Sequence, residues 1–379
     1  MKAVITAYAR SPFHFARKGA LAQVRPDVLT AQIVQGLMQK VDLDPALIED
    51  LILGCAYPEG PQGNNLARLV VFLAGLPQQV GGMTINRFCG SSMSAIHMAA
   101  AQIEAGMGEA FICAGVESMT MVPQGGLHFD PSPDLLARYP QAYITMGETA
   151  ENVAQRYHVA RRDQEELALL SHQKAAAARD QGRLQDEIVP IVDRDGQRIS
   201  SDGCIRPQTT LEALAALKPA FRADGVVTAG TSSPLTDGAA AVLVTSEAFA
   251  KAHGLAPLAR IRAFATVGCD PTEMGMGPVP ATRKALARAG LQVADIDLVE
   301  INEAFSSQAL ACARELGLDP AKVNLDGGAL SLGHPLGATG ARITGKAASL
   351  LKREHARFAL ATQCIGGGQG IATVLEALN

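Results

Sequence analysis

Cys89 stands in the run Ile85-Asn86-Arg87-Phe88-Cys89-Gly90-Ser91-Ser92, where an apolar, strand-like stretch meets a Gly-Ser-Ser turn. The Ala- and Met-rich segment from Met93 to Gln102 then reads as a helix, which puts the thiol at a helix N-terminus. The unpaired N–H groups and the dipole of that end favour the thiolate, the nucleophilic form. Gly90 takes away a Cβ beside the sulfur and leaves room for a substrate carbonyl. A cysteine so placed suits covalent catalysis, whereas the competing reading is a buried thiol acting as a small hydrophobe.

Three further runs carry groups that such chemistry needs. In Gly333-His334-Pro335-Leu336-Gly337, glycines flank the histidine and the proline stiffens the turn before a helix. An imidazole held there could take the proton of a nearby thiol. In Thr362-Gln363-Cys364-Ile365-Gly366-Gly367-Gly368-Gln369-Gly370, a strand runs into a second cysteine and a glycine cluster. A dinucleotide loop is the alternative, but the spacing is not G-x-G-x-x-G, and Ile371 to Leu375 continues as a strand rather than a helix. Backbone N–H groups lining an oxyanion site, with Cys364 as general acid/base, fit better. In Glu300-Ile301-Asn302-Glu303-Ala304-Phe305, Asn302 follows an apolar strand. It can hold a water or donate to an oxyanion, and a helix N-cap is an equally good reading of that residue alone. Two thiols, an imidazole, an amide and glycine-rich turns together suit acyl transfer through a thioester followed by carbanion chemistry.

The elements that must position these groups form one pattern twice. Asp27 to Val41 reads as a helix leading to the strand Leu51-Ile52-Leu53-Gly54-Cys55, and Thr282 to Ala289 leads in the same way to Leu298-Val299-Glu300-Ile301-Asn302. The Cys89 turn precedes the strand Ala110 to Gly115, and the His334 turn precedes the helix Ala338 to Leu351 and the strand Phe358 to Thr362. Apolar strands alternating with amphipathic helices indicate an α/β architecture with buried sheets, here as two similar halves over 1–248 and 255–379. Residues from about 117 to 230 have a different texture: a Pro/Gly-rich loop, then a charged amphipathic helix from Arg161 to Arg179 with Asp163 as its cap. This segment reads as a loop domain inserted in the first half.

Composition narrows the functional classes. The 379 residues are 48% hydrophobic and 18% charged, with a net charge of −4, which argues against a nucleic-acid or membrane-surface protein. No apolar run reaches the length of a membrane span, and the start, Met1 to Ala7, reads as a strand rather than a signal peptide. Seven cysteines without a Cys-x-x-Cys pair fit a reduced cytoplasm better than a disulfide framework or a metal site.

Six ordered runs resemble the thiolase family over nearly the whole chain. They are Asn86 to Ser92, Thr228 to Ser233 followed by Asp237 to Ala240, Gly275 to Pro280, Asn302 to Phe305, Gly333 to Pro335 and Cys364 to Gly368. The resemblance implies two βαβαβαββ halves in a five-layered αβαβα sandwich with an inserted loop domain. It implies that Cys89 becomes acylated after activation by His334, and that Cys364 deprotonates the incoming CoA thiol or the acetyl-CoA methyl group. One oxyanion pocket would come from His334 and a water held by Asn302, the other from the N–H groups of Cys89 and Gly366. Coenzyme A would lie near Arg206, Phe221, Ser233 and Met146, as a substrate rather than a permanently bound cofactor. Homodimers or homotetramers, and a multienzyme partner of β-oxidation, belong to the same expectation.

Biosynthetic acetoacetyl-CoA thiolases typically carry His-Met-Gly where this chain has Thr145-Met146-Gly147. Losing that imidazole suits longer acyl chains and a degradative 3-ketoacyl-CoA thiolase. An acetyl-CoA acetyltransferase is the runner-up. A decarboxylating ketoacyl synthase is disfavoured by Cys364, where those enzymes use His or Asn. A redox or binding protein built on reactive thiols gives no role to Asn302 or His334.

Overall fold

The computed structural model describes residues 2–378. In the first half, β1 (Ala3–Arg10) is followed by α1 (Pro26–Met38), β2 (Asp50–Gly54), α2 (Leu66–Leu73), β3 (Gly81–Ile85), α3 (Ser91–Glu104) and β4 (Ala110–Ser118). An insert carrying α4 (Met146–Arg156) and α5 (Arg161–Asp180) precedes β5 (Thr236–Ser246). The second half repeats the order with β6 (Ala259–Gly268), α6 (Pro278–Ala289), β7 (Leu298–Ile301), α7 (Ser306–Leu316), α8 (Leu336–Arg353), β8 (Phe358–Ile365) and β9 (Gln369–Glu376).

The strand orders match. The first half runs β3-β2-β4-β5-β1 and the second β7-β8-β9-β6, the two joining where Val4 and Ile5 of β1 face Arg260 and Ala259 of β6. In each half the inner crossover strands are parallel and the last two ladders antiparallel. The strand expected third in the second half is reduced to one parallel bridge, Val299 to Val323. Its chain turns at Asn324, in the left-handed region at φ +46°. The Asn324 side chain accepts from the Ile301 N–H and donates to the Ile301 carbonyl, taking over hydrogen bonds that a longer strand would supply.

Alternation along the buried strands divides the core into faces. Ile112 and Ala114 of β4 pack with α1 and α2, whereas Phe111 and Cys113 pack with α3 and α8. Leu360 of β8 and Ala372 of β9 face α6 and α7, whereas Ala361 and Ile371 face the centre. This is a five-layered αβαβα sandwich with α3 and α8 in the middle. Both central helices are largely buried, and small residues let them approach: a Cβ on Gly340 would overlap the Met93 backbone. The N-termini of α3 and α8 therefore meet between the sheets, which is where the Cys89 and His334 turns lie.

The local boundaries differ little from expectation. The helix after Cys89 begins at Ser91, two residues earlier, because Gly90 serves as its N-cap. Asp163 is not the cap of α5. Ala160 is, and Asp163 sits in the first turn, where its charge complements the helix dipole.

Candidate active site

Cys89 follows a strained residue. Phe88 has φ +44°, and short local hydrogen bonds hold it there. The Asn86 side chain accepts the Phe88 N–H at 2.7 Å, and Ser91 Oγ accepts the Arg87 N–H at 2.8 Å while donating to the Phe88 carbonyl at 2.7 Å. The Gln363 amide donates to the Cys89 carbonyl, so the strand that carries Cys364 also fixes the nucleophile turn. The role expected for Gly90 needs correction. A Cβ there would meet Ile365 Cδ1 at 2.5 Å, so the glycine permits packing against β8 rather than substrate approach.

His334 is pinned at both ends. Gly333 has φ +105°, and a Cβ on it would press on Thr236. Thr236 Oγ1 accepts the His334 backbone N–H at 3.0 Å. The ring nitrogen Nδ1 lies 2.6 Å from Thr339 Oγ1, and Nε2 lies 3.3 Å from Asn302 Nδ2. Asn302 is therefore not a helix cap; Phe305 is the N-cap of α7. The Asn302 side-chain oxygen is buried without a hydrogen-bond partner, which leaves acceptor capacity beside His334 for a water.

Cys364 lies one residue before the end of β8, in a small apolar nest with Ala304, Phe305, Met274 and Met146. The backbone N–H of Gly366 points at the Cys89 sulfur, and the two thiols are close enough to couple electrostatically. Segments 85–92, 333–337 and 362–368 thus converge, and with Asn302 they put two thiols, one imidazole and one amide around a single space.

Burial dominates the electrostatics. It pushes the Cys89 thiol up to about 12 and raises Cys364 well above the usual thiol range. Burial, helped by the Arg342 charge, lowers His334 to about 3. This desolvation opposes the helix N-terminus and favours thiol and neutral imidazole over the thiolate expected from turn chemistry. Proton transfer must then accompany attack on an electrophile.

The residues expected to meet coenzyme A fall into two groups. Met146 is half-buried, with its sulfur facing Gly366, and the exposed Phe221 ring packs edge-on against Phe305 at 5.9 Å, over Gly147. Ser233 is tied to the same wall, its N–H donating to the Ala304 carbonyl at 3.0 Å. Arg206 is exposed and stands apart, its guanidinium 4.9 Å from the centre of the Phe15 ring.

Sequence reasoning assigned no role to four buried residues that support the site. Glu117 accepts from Ala56, Tyr57, Gln62 and Gly337. Glu303 accepts from Asn324 and Ser171, joining the end of β7 to the insert. Thr339 and Thr236 hold the histidine. Glu117 had a visible signal, a carboxylate at the end of an otherwise apolar strand run. The threonines had none, because threonine is common in buried helices and strands.

Comparison with known proteins identifies the family. The N-terminal thiolase domain model matches residues 3–248 and the C-terminal one residues 255–377. A 3-ketoacyl-CoA thiolase of Shewanella denitrificans is 48% identical, and one of Bacillus subtilis 46% identical, each match covering 99% of both chains. The crystal structure of the Bacillus anthracis acetyl-CoA acetyltransferase superposes with a TM-score of 0.92 at 41% identity, covering 100% of this chain and 99% of that one. Human mitochondrial 3-ketoacyl-CoA thiolase gives 0.91 at 38% identity, with the same coverage. With two domain models that fill nearly its whole length, and catalytic-type turns at the meeting point of duplicated halves, this chain belongs to the thiolase family.

Proposed function

We propose that the protein is a 3-ketoacyl-CoA thiolase that cleaves 3-ketoacyl-CoA with CoA into acetyl-CoA and a shortened acyl-CoA in fatty-acid β-oxidation. The observation that carries this reading is the convergence of Cys89, His334 and Cys364 from three separated segments, supported by the names of relatives at 46–48% identity.

The chemistry runs in two halves. The Cys89 sulfur attacks the 3-keto carbon as its proton passes to His334 Nε2. The bond between C2 and C3 breaks, the acyl group stays on Cys89 as a thioester, and acetyl-CoA leaves as its enolate. Cys364 protonates that enolate at carbon. The Cys364 thiolate then takes the proton of a second CoA thiol, whose sulfur attacks the thioester. Cys89 departs and recovers its proton from His334. The His334–Asn302 pair and the N–H groups of Cys89 and Gly366 offer two places where developing negative oxygen is stabilised. Met146, Phe221 and Ser233 form a wall suited to the pantetheine, and the exposed Arg206 is assigned to the nucleotide end on its charge.

Thr145 starts α4 with its hydroxyl 3.1 Å from Glu148 Oε2, so no imidazole occupies that place. This supports acyl chains longer than acetoacetyl. The likeness to an acetyl-CoA acetyltransferase keeps condensation of two acetyl-CoA as the second reading. A series of 3-ketoacyl-CoA substrates of increasing chain length separates the two: rising kcat/KM beyond four carbons is expected, and activity on acetoacetyl-CoA alone would establish the acetyltransferase. Peptide mass spectrometry after brief exposure to acetyl-CoA should find acetyl on Cys89. Acetyl on Cys364 alone, or on neither, removes the mechanism.

We infer also that two copies associate through β3. That strand pairs on one side only, and the adjoining α2 exposes Leu69, Phe72 and Leu73. An apolar helix beside an open strand edge suits a second copy. Light scattering should give twice or four times the chain mass, and Phe72→Glu should lower it.

A further inference from the structure

The two hydrogen bonds of the His334 ring reach beyond the contacts already assigned to it, because together they select one tautomer. Thr339 Oγ1 lies 2.6 Å from Nδ1 and 3.1 Å from the Pro335 carbonyl. The Thr339 hydroxyl donates to the Pro335 carbonyl in the manner of a helical threonine, and its oxygen is then left to accept from Nδ1–H. At the other end of the ring, Asn302 Nδ2 is 3.3 Å from Nε2, and an amide NH₂ only donates. Both neighbours require the same state: a proton on Nδ1 and a lone pair on Nε2. His334 is almost fully buried and Thr339 equally so, which leaves bulk water little part in the choice.

From this juxtaposition we propose that Thr339 is a positioning residue: it holds His334 in the Nδ1–H tautomer and so presents Nε2 as the base for Cys89. The proposal rests on the thiolase reading for its consequence but not for its geometry. The opposite tautomer would put an N–H on Nε2 against the Asn302 NH₂ and leave no lone pair for the thiol proton. Thr339 is well suited to the task, since it also carries a backbone bond from its own N–H to the Pro335 carbonyl at 3.1 Å. That bond, and the one from Ala338 at 2.9 Å, start α8 without help from the hydroxyl. Thr339→Val therefore removes the acceptor while keeping the shape and the helix start.

The test is nitrogen NMR of the full-length protein labelled with ¹⁵N-histidine, with His334→Gln used to assign the signal, alongside steady-state kinetics. Wild type and Thr339→Ser should show a pyridine-type Nε2 and a protonated Nδ1. Thr339→Val should lose that pattern, with kcat falling about 10²-fold and the KM for CoA unchanged, as expected when a general base carries its proton on the wrong nitrogen. Thr339→Ser should restore kcat. A protonated Nε2 in wild type, or Thr339→Val with unchanged signal and unchanged kcat, overturns the proposal. Should Thr339→Val not fold, the wild-type and Thr339→Ser spectra decide it alone. A wild-type enzyme with the expected tautomer but no thiolysis would count against the thiolase reading and leave the tautomer assignment standing.

Discussion

The Glu117 carboxylate accepts the Gly337 N–H at 2.9 Å, so the end of β4 in one half caps the helix that follows His334 in the other. The same carboxylate accepts from Ala56 at 2.9 Å, Tyr57 at 3.3 Å and Gln62 at 2.9 Å. It is buried among donors with no hydrogen-bonded cation, and burial raises its pKa above the usual carboxylate range. One side chain thus couples the loop after β2 to the start of α8.

Removing it should cost both stability and rate. Glu117→Ala leaves several buried N–H groups unpaired, and a loss of about 2–3 kcal/mol is expected in urea unfolding. Turnover should fall further than stability explains, because the His334 turn loses its anchor. Wild-type kcat in the folded variant would show that the carboxylate serves folding alone.

Cys364→Ala should separate the two halves of the reaction. Acetylation of Cys89 is expected to persist, while steady-state thiolysis drops by about 10²–10⁴-fold, the usual contribution of a positioned acid/base. Mass spectrometry and the thiolysis assay read the two effects on the same sample. Normal turnover would end the two-cysteine mechanism.

The Cys89 thiol at about 12 makes its alkylation a sensitive measure of resting state. At pH 7 about one part in 10⁵ would be thiolate. The rate of iodoacetamide labelling of Cys89 should then climb about tenfold per pH unit from 7 to 10 with no plateau. A plateau beginning near neutrality would reveal a preformed thiolate–imidazolium pair.

Acid should destabilise the fold through its buried histidines. Burial lowers His97 and His334 to about 3 and His172 to about 4, against 6.5 when unfolded. Between those values the unfolded chain binds more protons than the native one, so stability is complete above pH 6.5 and is lost as pH falls toward 3. Each such histidine contributes up to about 1.4 kcal/mol per pH unit in that window. His97 stacks on Phe264 and bonds Thr373 at 2.7 Å, and the Arg87 charge adds to the effect of burial. Urea unfolding of His97→Gln from pH 7 to 4 should show a shallower slope than wild type, and an equal slope would remove His97 from the account.

Gly115→Ala probes the central layer. A Cβ there would overlap the Gly337 carbonyl and stand 2.6 Å from Ser92 Cβ, wedging α3 and α8 from β4. Destabilisation of about 1–3 kcal/mol or more is expected in urea unfolding, with turnover falling in parallel because the Cys89 and His334 turns start those helices. A neutral effect would mean that the layer is more yielding than its packing indicates.

The sequence by itself determined the duplicated α/β plan and pointed to the candidate reacting groups. Apolar strand runs and helix periodicity are local signals, and Cys89, His334, Asn302 and Cys364 each sit in a turn whose glycines and prolines are legible in order. Tertiary structure decided what those groups are at rest. Burial between two sheets reverses the expected thiolate at Cys89, since desolvation is a property of the assembled layers and outweighs the helix end. The third strand of the second half could not be read either, because the Asn324 side chain replaces its ladder with hydrogen bonds to a residue over twenty positions away. The supports of the site, Glu117, Glu303 and Thr339, act across halves or across a turn, so what each one holds is settled only when folding places its partners beside it.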